Sequence, residues 1–346
     1  MTRPTIKDVA AKAGVSVATV SNVFSRRKPV SQDLVARVEE AAEALSYKMD
    51  RAASQLRSGR VKVVGVLVPN LNDTFFTSLI SDIEGLAVDA GYQVLVASAQ
   101  DDPEREAAQL DALLGWKPSG VVAVPCTNAT PEPLRREFDN LPIILADRIG
   151  ESDLPVDTVT VNNLDAGREA AEHLLAHGHR RIAIASSVTD FRPIQHRIQG
   201  VTEACAAAGA DAPEIIEVGV DPVAGADILA DWLRRHAGPT AIIAMTNVTT
   251  LAALSALARL KLEVPDDMSL VGFDDYPWMT ARKVPLSAVS QPIPEIAGTI
   301  WQRLMSRMNG DALPPEHIVL EAPLQKRSSV GVPRHIPDAG SEVKAL

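Results

Sequence analysis

Residues 5–24 read TIKDVAAKAGVSVATVSNVF, and their apolar spacing predicts two short helices separated by a tight turn. The residues that repeat at helical intervals in the first helix are Ile6, Val9, Ala10 and Ala13. Gly14 is expected to end this helix, because glycine readily adopts the left-handed backbone that closes a helix. Thr5 with Asp8 and, for the second helix, Ser16 are the expected N-terminal caps.

A third helix is predicted after Ser31, where Leu34, Val38 and Leu45 form part of an apolar stripe. Three short helices within 46 residues, the first two joined by a glycine turn, are typical of an all-α helix-turn-helix domain. The segment that follows, residues 51–57, favours helix but holds a single large apolar residue, Leu56. We expect something outside this segment to order it.

Beyond residue 61, apolar runs of strand length alternate with amphipathic helical stretches. The runs are VKVVGVLVP, YQVLVAS, GVVAVP and PIILAD, followed after residue 180 by RRIAIAS, EIIEVGV, AIIAMT and MSLVGFDD. Strands that alternate with helices indicate doubly wound α/β architecture with parallel sheets. The two blocks predict two similar lobes, with a ligand cleft where the carboxyl ends of the strands converge.

The charge is divided unevenly along the 346 residues, whose formal net charge is −10. Residues 1–62 hold 12 Lys/Arg against 6 Asp/Glu, whereas the remainder holds 22 against 38. A basic end on an acidic body confines phosphate attraction to one end. The two cysteines, Cys126 and Cys205, lie far apart in apolar stretches and are expected to be reduced thiols.

The sequence also excludes several classes of protein. It has no signal-peptide pattern and no run of 18 apolar residues, so we expect a cytoplasmic protein without membrane association. Neither G-x-x-x-x-G-K-[ST], G-x-G-x-x-G nor G-x-S-x-G occurs, which argues against an α/β enzyme. His173, His177 and His179 have metal-like spacing, but no further ligands complete a site, so neither a metal nor another cofactor is predicted.

The stretch TIKDVAAKAGVSVATVSNVF, continued by KPVS and YKMDRAASQLRSG, closely resembles the LacI/GalR (lactose-repressor) family. The resemblance continues through EHLLAHGHRRIAI, VPDDMSLVGFDD, VSQP and RSS, and covers about residues 3–330. It implies a homodimeric transcription regulator, commonly a repressor, that binds a palindromic DNA operator under the control of a small effector. A sugar-binding solute-binding protein is the alternative that would explain the body alone.

The resemblance also implies a division of the chain. It gives a headpiece over residues 1–48, a hinge over 49–61, an effector-binding and dimerisation domain of the periplasmic-binding-protein type over 62–330, and a flexible tail over 331–346. Within the domain, lobe 1 would span about 62–160 plus 292–320, and lobe 2 about 161–291 plus 321–330.

For DNA binding, the resemblance places Val17, Ala18 and Asn22 against base edges in the major groove. Hydroxyls near helix N-termini are candidate phosphate anchors, namely those of Thr5, Ser16, Ser21 and Ser31. The basic loop of Arg26, Arg27 and Lys28 is a candidate backbone clamp. The hinge would add Ala53 and Leu56, with the leucine wedged into the minor groove. Met49 and Asp50 depart from the family pattern, in which proline and asparagine are common at these positions.

For the effector, the resemblance nominates Phe75, Phe76 and Asp147 from lobe 1. It adds Arg197, Asn247 and Asp274 from lobe 2, with Thr127 and Gln291 as weaker candidates. Carboxylate, guanidinium and amide groups beside an aromatic wall suit a polyhydroxylated ligand, and the classes considered are a sugar, a sugar acid or a nucleoside. Three further basic residues would favour a sugar acid or sugar phosphate: Arg148, Arg192 and His196.

Overall fold

The computed structural model describes residues 4–25, 30–45, 47, 62–149, 154–236 and 238–333. The chain divides into two compact units, residues 1–62 and 63–346. Several residues with predicted roles lie outside the described residues, namely Arg26, Arg27, Lys28, Ala53 and Leu56, together with positions 334–346 of the expected tail. The bounds expected for headpiece, hinge and lobes stay predictions.

The first unit consists of three helices, α1 (Ile6–Ala13), α2 (Val17–Ser25) and α3 (Gln32–Ala44). Each helix contributes one valine without solvent exposure to a shared core, Val9, Val20 and Val38 respectively. The core is small, so the helix ends add to its stability.

The predicted caps of α1 and α2 and the turn between them are present, whereas Ser31, the predicted cap of α3, forms no capping bond through its side chain. Asp8 accepts hydrogen bonds from the backbone N–H and the hydroxyl of Thr5, both at 2.7 Å, and Ser16 Oγ accepts from the N–H of Thr19 at 3.1 Å. Gly14 lies in the left-handed region with φ 64°. Arg37 of α3 donates to the carbonyl of Ala13 at 2.7 Å, which closes the end of α1 and joins it to α3.

The second unit contains two six-stranded sheets, each covered by helices on both faces. The first sheet has the order β11–β5–β4–β3–β1–β2 and is parallel throughout. Its strands are β1 (Val63–Val68), β2 (Gln93–Ser98), β3 (Gly120–Ala123), β4 (Ile143–Ala146), β5 (Asp157–Val161) and β11 (His317–Leu320). Its helices are α4 (Thr74–Asp89), α5 (Pro103–Gly115), α6 (Glu132–Glu137) and α12 (Ile293–Met308). We call this part lobe 1.

Lobe 2 is built on the second sheet, of order β12–β10–β9–β8–β6–β7, in which only the β10–β12 pair is antiparallel among the described strands. Its strands are β6 (Ile182–Ser186), β7 (Glu214–Glu217), β8 (Ala241–Ala244), β9 (Ser269–Phe273), β10 (Ser287–Val289) and β12 (Leu324–Gln325). Its helices are α7 (Asn163–Ala176), α8 (Arg192–Ala207), α9 (Pro222–Arg235), α10 (Asn247–Leu260) and α11 (Pro277–Thr280).

All eight predicted apolar runs contain a strand, and the predicted parallel α/β fold is confirmed. Four strands were not predicted, namely β5, β10, β11 and β12. They are short or alternate with polar residues, and they lie at or near sheet edges.

The chain crosses between the lobes three times, after β5, after β10 and after β11. The crossing segments are hydrogen-bonded to one another, since the N–H of Asn162 donates to Leu320 at 2.8 Å and that of Ser290 to Pro323 at 2.9 Å. These side-by-side segments connect the two lobes next to the carboxyl ends of both sheets, and we call them the inter-lobe connection.

One buried carboxylate, that of Asp157, joins three segments of lobe 1 by hydrogen bonds. Asp157 begins β5 and is 1% exposed, and it accepts hydrogen bonds from Arg307 at 2.7 and 2.9 Å and from Arg303 at 3.1 Å. Burial alone would raise the pKa of Asp157, but the bonds from Arg307, the N–H of Glu316 and Arg303 lower it to about 2. The carboxylate thus joins β5 to α12 and to the loop before β11.

Replacing this carboxylate should destabilise lobe 1. We expect Asp157→Asn to lower the free energy of unfolding by about 3 kcal/mol, because two guanidinium groups lose their buried partner. Urea unfolding at pH 7 measures this, with Asp111→Asn as control, since the Asp111–Arg136 pair is exposed and should contribute under about 1 kcal/mol. Because the folded pKa is depressed, the contribution of Asp157 should persist above about pH 4 and disappear as the pH falls towards 2. Equal losses in the two variants would contradict this role.

Candidate functional site

The candidate DNA-reading surface is the outer face of α2. Val20 and Val23 point into the helical core, whereas Ser16, Val17, Ala18 and Ser21 are exposed and Asn22 is half-buried. Val17 keeps 37% of its surface exposed although it is apolar. An apolar side chain beside an amide on one exposed helix face can contact a thymine methyl and an adenine edge.

The candidate phosphate anchors differ in whether their hydroxyl groups already form hydrogen bonds within the protein. The hydroxyl of Thr5 donates to Asp8, and that of Ser16 caps α2 and shares a 2.9 Å bond with Thr19. Ser31 occupies the N-cap position of α3, but its hydroxyl makes no bond to the helix. All three are exposed, as the predicted role requires.

The candidate effector site lies between the lobes and is organised around Arg197 of α8, which is 3% exposed. Its Nε donates to Asn163 Oδ1 at 2.8 Å, Nη1 donates to the carbonyl of Met245, and the guanidinium lies 4.4 Å from the ring centre of Phe273. Burial lowers the pKa of Arg197, and the carboxylates of Asp274, Asp147 and Asp73 oppose this.

Two glycines bring Arg197 to this place. A Cβ on Gly167 of α7 would lie 2.1 Å from the carbonyl oxygen of Arg197, and one on Gly200 of α8 would lie 2.0 Å from that of Leu164. Helices α7 and α8 therefore pack backbone to backbone at the level of Arg197, which no residue with a side chain would permit.

Each lobe places one aspartate at the carboxyl end of a strand. Asp147 follows β4 and Asp274 follows β9, and both have left-handed backbones, with φ of 55° and 65°. For a residue other than glycine this conformation costs energy and is concentrated at ligand sites. Burial raises the pKa of Asp147, and it raises that of Asp274 to about 6 against the opposing effect of Arg197.

Two groups donate hydrogen bonds to the carboxylate of Asp274, and one of them, the Gln291 amide, has an unused acceptor. It accepts from the N–H of Asn247 at 3.0 Å and from Gln291 Nε2. The other amide atom of this glutamine, Gln291 Oε1, is buried and has no hydrogen-bond partner among the described residues. A ligand hydroxyl is the kind of donor that would satisfy it.

Two asparagines connect the lobes directly. Asn247 of lobe 2 donates to Asp73 Oδ1 at 2.9 Å and to the hydroxyl of Thr74 at 3.1 Å. Asn128 of lobe 1 donates to the carbonyl of Asp190 at 2.7 Å and accepts from the N–H of Arg192 at 2.9 Å. Neither Asp73 nor Asn128 is among the residues predicted from the sequence, although Asp73 is recognisable as the N-cap of the helix after β1.

An aromatic and cationic wall completes the cleft. Phe75 and Phe76 are buried, with ring centres 5.3 Å apart in an edge-to-face arrangement. The Arg148 guanidinium lies 4.1 Å from the ring centre of Phe191 and 5.4 Å from that of Phe76, and it pairs with Asp101 at 2.9 Å. Arg148 is therefore already neutralised by a carboxylate.

These groups surround a small cavity of about 50 Å³. Of the predicted effector residues, six line it: Phe75, Phe76, Asp147, Arg197, Asp274 and Gln291. Asn247 lies behind the lining, bonded to Asp274. Thr127 does not line the space and instead accepts from the N–H of Ala129. The lining residues that were not predicted are Asp73, Ser187, Phe191, Pro193, Ile194 and Thr246.

A second, more open groove adjoins this cleft and has a volume of about 440 Å³. Asp147 and Pro193 line both spaces, so the two are neighbours. The second groove is additionally lined by Ile149, Thr158, Thr160, Val161, Asn163, Arg192, His196 and His317.

The three histidines with metal-like spacing have partners within the protein. His179 bonds to Thr240 at 2.7 Å and to Ser269 at 2.9 Å, and His177 bonds to the carbonyl of His173 at 2.8 Å. Within the described residues, no group of three or more His, Cys, Asp or Glu side chains is arranged to hold a metal ion. In the same part of the chain, no helix has the length and apolarity needed to cross a membrane.

Comparison with known proteins agrees with both units. Residues 5–50 match the family described as "Bacterial regulatory proteins, lacI family", and residues 171–330 match "Periplasmic binding protein-like domain". The ribose operon repressor of Escherichia coli K12 is 28% identical over 333 residues, covering 94% of this chain and 99% of that protein. The transcriptional regulator DegA of Bacillus subtilis is 30% identical over 330 residues, covering 92% of this chain and 97% of that protein.

Among solved structures, the lac repressor dimer bound to operator and to the anti-inducer ONPF is similar, with a TM-score of 0.84 and 25% identity. The match covers 95% of this chain and all of that one. Since relatives along nearly the full length are transcriptional regulators, the chain belongs to the LacI family of bacterial regulatory proteins and is a DNA-binding regulator of transcription, not an enzyme.

Proposed function

We propose that the protein is a repressor that binds a palindromic operator as a homodimer in the cytoplasm, and that a sugar or sugar derivative in the cleft controls this binding. The observation that carries the effector part is the buried cluster of Arg197, Asp274 and Gln291 between two lobes. A solute-binding protein would need the same cleft, but it would not need the helix-turn-helix unit that matches the regulatory family.

The chemistry of the cleft supports a polyhydroxylated effector. Asp274 and Asp147 supply carboxylate acceptors, Arg197 supplies donors in a planar fork, and Gln291 supplies an unused acceptor. Phe75 and Phe76 offer an apolar wall for the ring face. One relative is named for a ribose operon, which agrees with a sugar.

The inter-lobe connection and the two asparagines that bond the lobes to each other provide a means by which an effector could control operator binding. An effector that contacts both lobes favours one arrangement of lobe 1 against lobe 2, because its bonds to the two sides form together. We propose that this arrangement changes how the two headpieces of the dimer meet the operator. A coupling of about 1–3 kcal/mol would change operator affinity roughly 5–150-fold.

On DNA, we propose that Val17, Ala18 and Asn22 read bases, while Thr5, Ser16, Ser21 and Ser31 hold phosphates. Arg26, Arg27, Lys28, Ala53 and Leu56 are proposed to extend this contact on grounds of sequence alone. The exposure of the α2 face supports the first group, and the open hydroxyl of Ser31 supports its part in the second.

Selection of genomic DNA fragments by the purified protein tests the function and yields the operator. We expect an enriched palindrome. Asn22→Ala should then weaken the free energy of operator binding by about 1–3 kcal/mol and relax the base preference at one position in each half-site. Ser31→Ala is the matched control, since losing a phosphate contact should weaken all sequences alike. Enrichment of no sequence, with and without a sugar mixture, would contradict the proposal.

Substitution in the cleft should separate effector binding from DNA binding. Arg197→Lys should weaken binding of the effector found in a sugar panel about tenfold or more, because the guanidinium fork is lost, and should leave operator affinity without effector nearly unchanged. Calorimetry and gel-shift titration measure the two affinities. Arg234→Lys is the control, because Arg234 is exposed and pairs with Asp231 at the end of α9. Wild-type effector affinity in Arg197→Lys would remove Arg197 from the site.

Effector binding should depend on pH through Asp274. Burial raises the pKa of this carboxyl to about 6, so it is ionised at pH 7.5 and protonated at pH 5. We expect effector affinity to fall about tenfold over this interval, since a charged acceptor forms the stronger bond. Asp274→Asn should bind weakly and without this dependence. A dependence that persists in Asp274→Asn would assign it to another group.

A further inference from the structure

The groove beside the effector cleft is lined from both lobes by side chains that carry hydrogen-bond donors. The lobe 2 wall consists of Arg192 and His196, one helical turn apart on α8. The lobe 1 wall consists of Thr158 and Thr160, which share a face of β5, and of His317, which pairs with Thr158 in the β5–β11 register. All five side chains carry hydrogen-bond donors.

The Arg192 guanidinium is uncompensated in this groove. Its side chain forms no ion pair or hydrogen bond with any residue that the structure describes, and only its backbone N–H is engaged, by Asn128. The Arg192 side chain is partly buried, which strengthens its electrostatic effect relative to a solvated arginine. Its charge is thus available to a ligand.

The imidazoles add neutral donors to this charge. Burial and the neighbouring Arg192 lower the pKa of His196, so at neutral pH its ring is uncharged and donates one N–H. His317 Nδ1 lies 2.8 Å from the Thr158 hydroxyl, so one tautomer of this pair presents a further donor to the groove.

The carboxylates that the structure describes around the groove do not cancel this potential. Asp147 lies at the junction with the effector cleft, where burial raises its pKa. Glu316 precedes His317 but is paired with Arg303 at 2.8 Å. Arg148, in contrast, is paired with Asp101 and does not line this groove. The free positive charge in the groove is therefore that of Arg192, and of the three aspartates of the inner cleft only Asp147 also lines the groove.

We propose that this groove binds a small oxyanion, a phosphate or carboxylate group, through Arg192, His196, the hydroxyl of Thr160 and the one donor that the His317–Thr158 pair leaves free. This inference rests on the proposed function, because the oxyanion would be part of the effector whose hydroxylated ring occupies the adjoining cleft. The effector is then an anionic sugar derivative, and the two spaces recognise its two parts: carboxylates and amides bind the ring, and the basic groove binds the charge.

Calorimetric titration of the full-length protein with inorganic phosphate and, separately, with acetate tests the groove without knowledge of the effector. We expect wild type to bind at least one of these anions, and the better one indicates which group the effector carries. Arg192→Gln should weaken this binding about tenfold or more, since it removes a charged donor. Arg235→Gln removes the same charge at the last residue of α9, outside the groove, and should change it less than twofold. Binding of neither anion, or equal loss in both variants, would overturn the proposal.

A matched pair of sugars separates this inference from the proposed function. Methyl ribofuranoside and its 5-phosphate share one ring form and differ only in the anionic group, and the phosphorylated sugar should bind more tightly to wild type. In Arg192→Gln the advantage should disappear, while affinity for the unphosphorylated ribofuranoside stays the same. Binding of the ribofuranoside without any advantage of its phosphate would refute the groove and leave the sugar-controlled function intact. Equal weakening of both sugars in Arg192→Gln would show a structural role for Arg192 and would also refute it. If neither sugar binds, ribose is not the sugar part of the effector, and the anion titrations alone decide the groove.

Discussion

The buried charge of Arg197 is the constraint on which the cleft depends. A guanidinium that is 3% exposed is stable only when it is surrounded by acceptors, and here Asn163, Met245 and three nearby aspartates provide them. This need is met where Gly167 and Gly200 let α7 pack closely against α8, and where the residues that follow β4, β8 and β9 meet around the guanidinium. Two of these residues, Asp147 and Asp274, have positive φ.

The sequence predicts the architecture well where burial on both faces of a strand leaves a continuous apolar run. It fails for β5, whose residues DTVTV alternate because Thr158 and Thr160 face a groove, and for β11, which enters lobe 1 more than 150 residues later. Strands of this kind are defined by the partner beside them, and no local pattern reveals that partner. The caps of the helical unit are, in contrast, local and were predictable from Thr5, Asp8, Gly14 and Ser16.

The same distinction applies to the cleft. Asp147 and Asp274 directly follow strands, and Arg197 lies in the R-x-x-G run of α8, so the sequence nominates them. Asp73 and Asn128 gain their roles only from the opposite lobe, so spacing along the chain cannot identify them. The expectation that Arg148 supplies free positive potential also required the structure to correct it, because the Asp101 partner lies 47 residues away in the sequence.

The two asparagine bridges also bear on how fast the cleft exchanges its contents. Asn128 and Asn247 bond one lobe to the other, so a separation of the lobes that admits or releases a small molecule requires these bonds to break. Association would then be limited by the frequency of opening and not by diffusion. The same barrier to opening would lengthen the residence time of the bound effector. A regulator of this construction would respond to sustained levels of its effector and average out brief fluctuations.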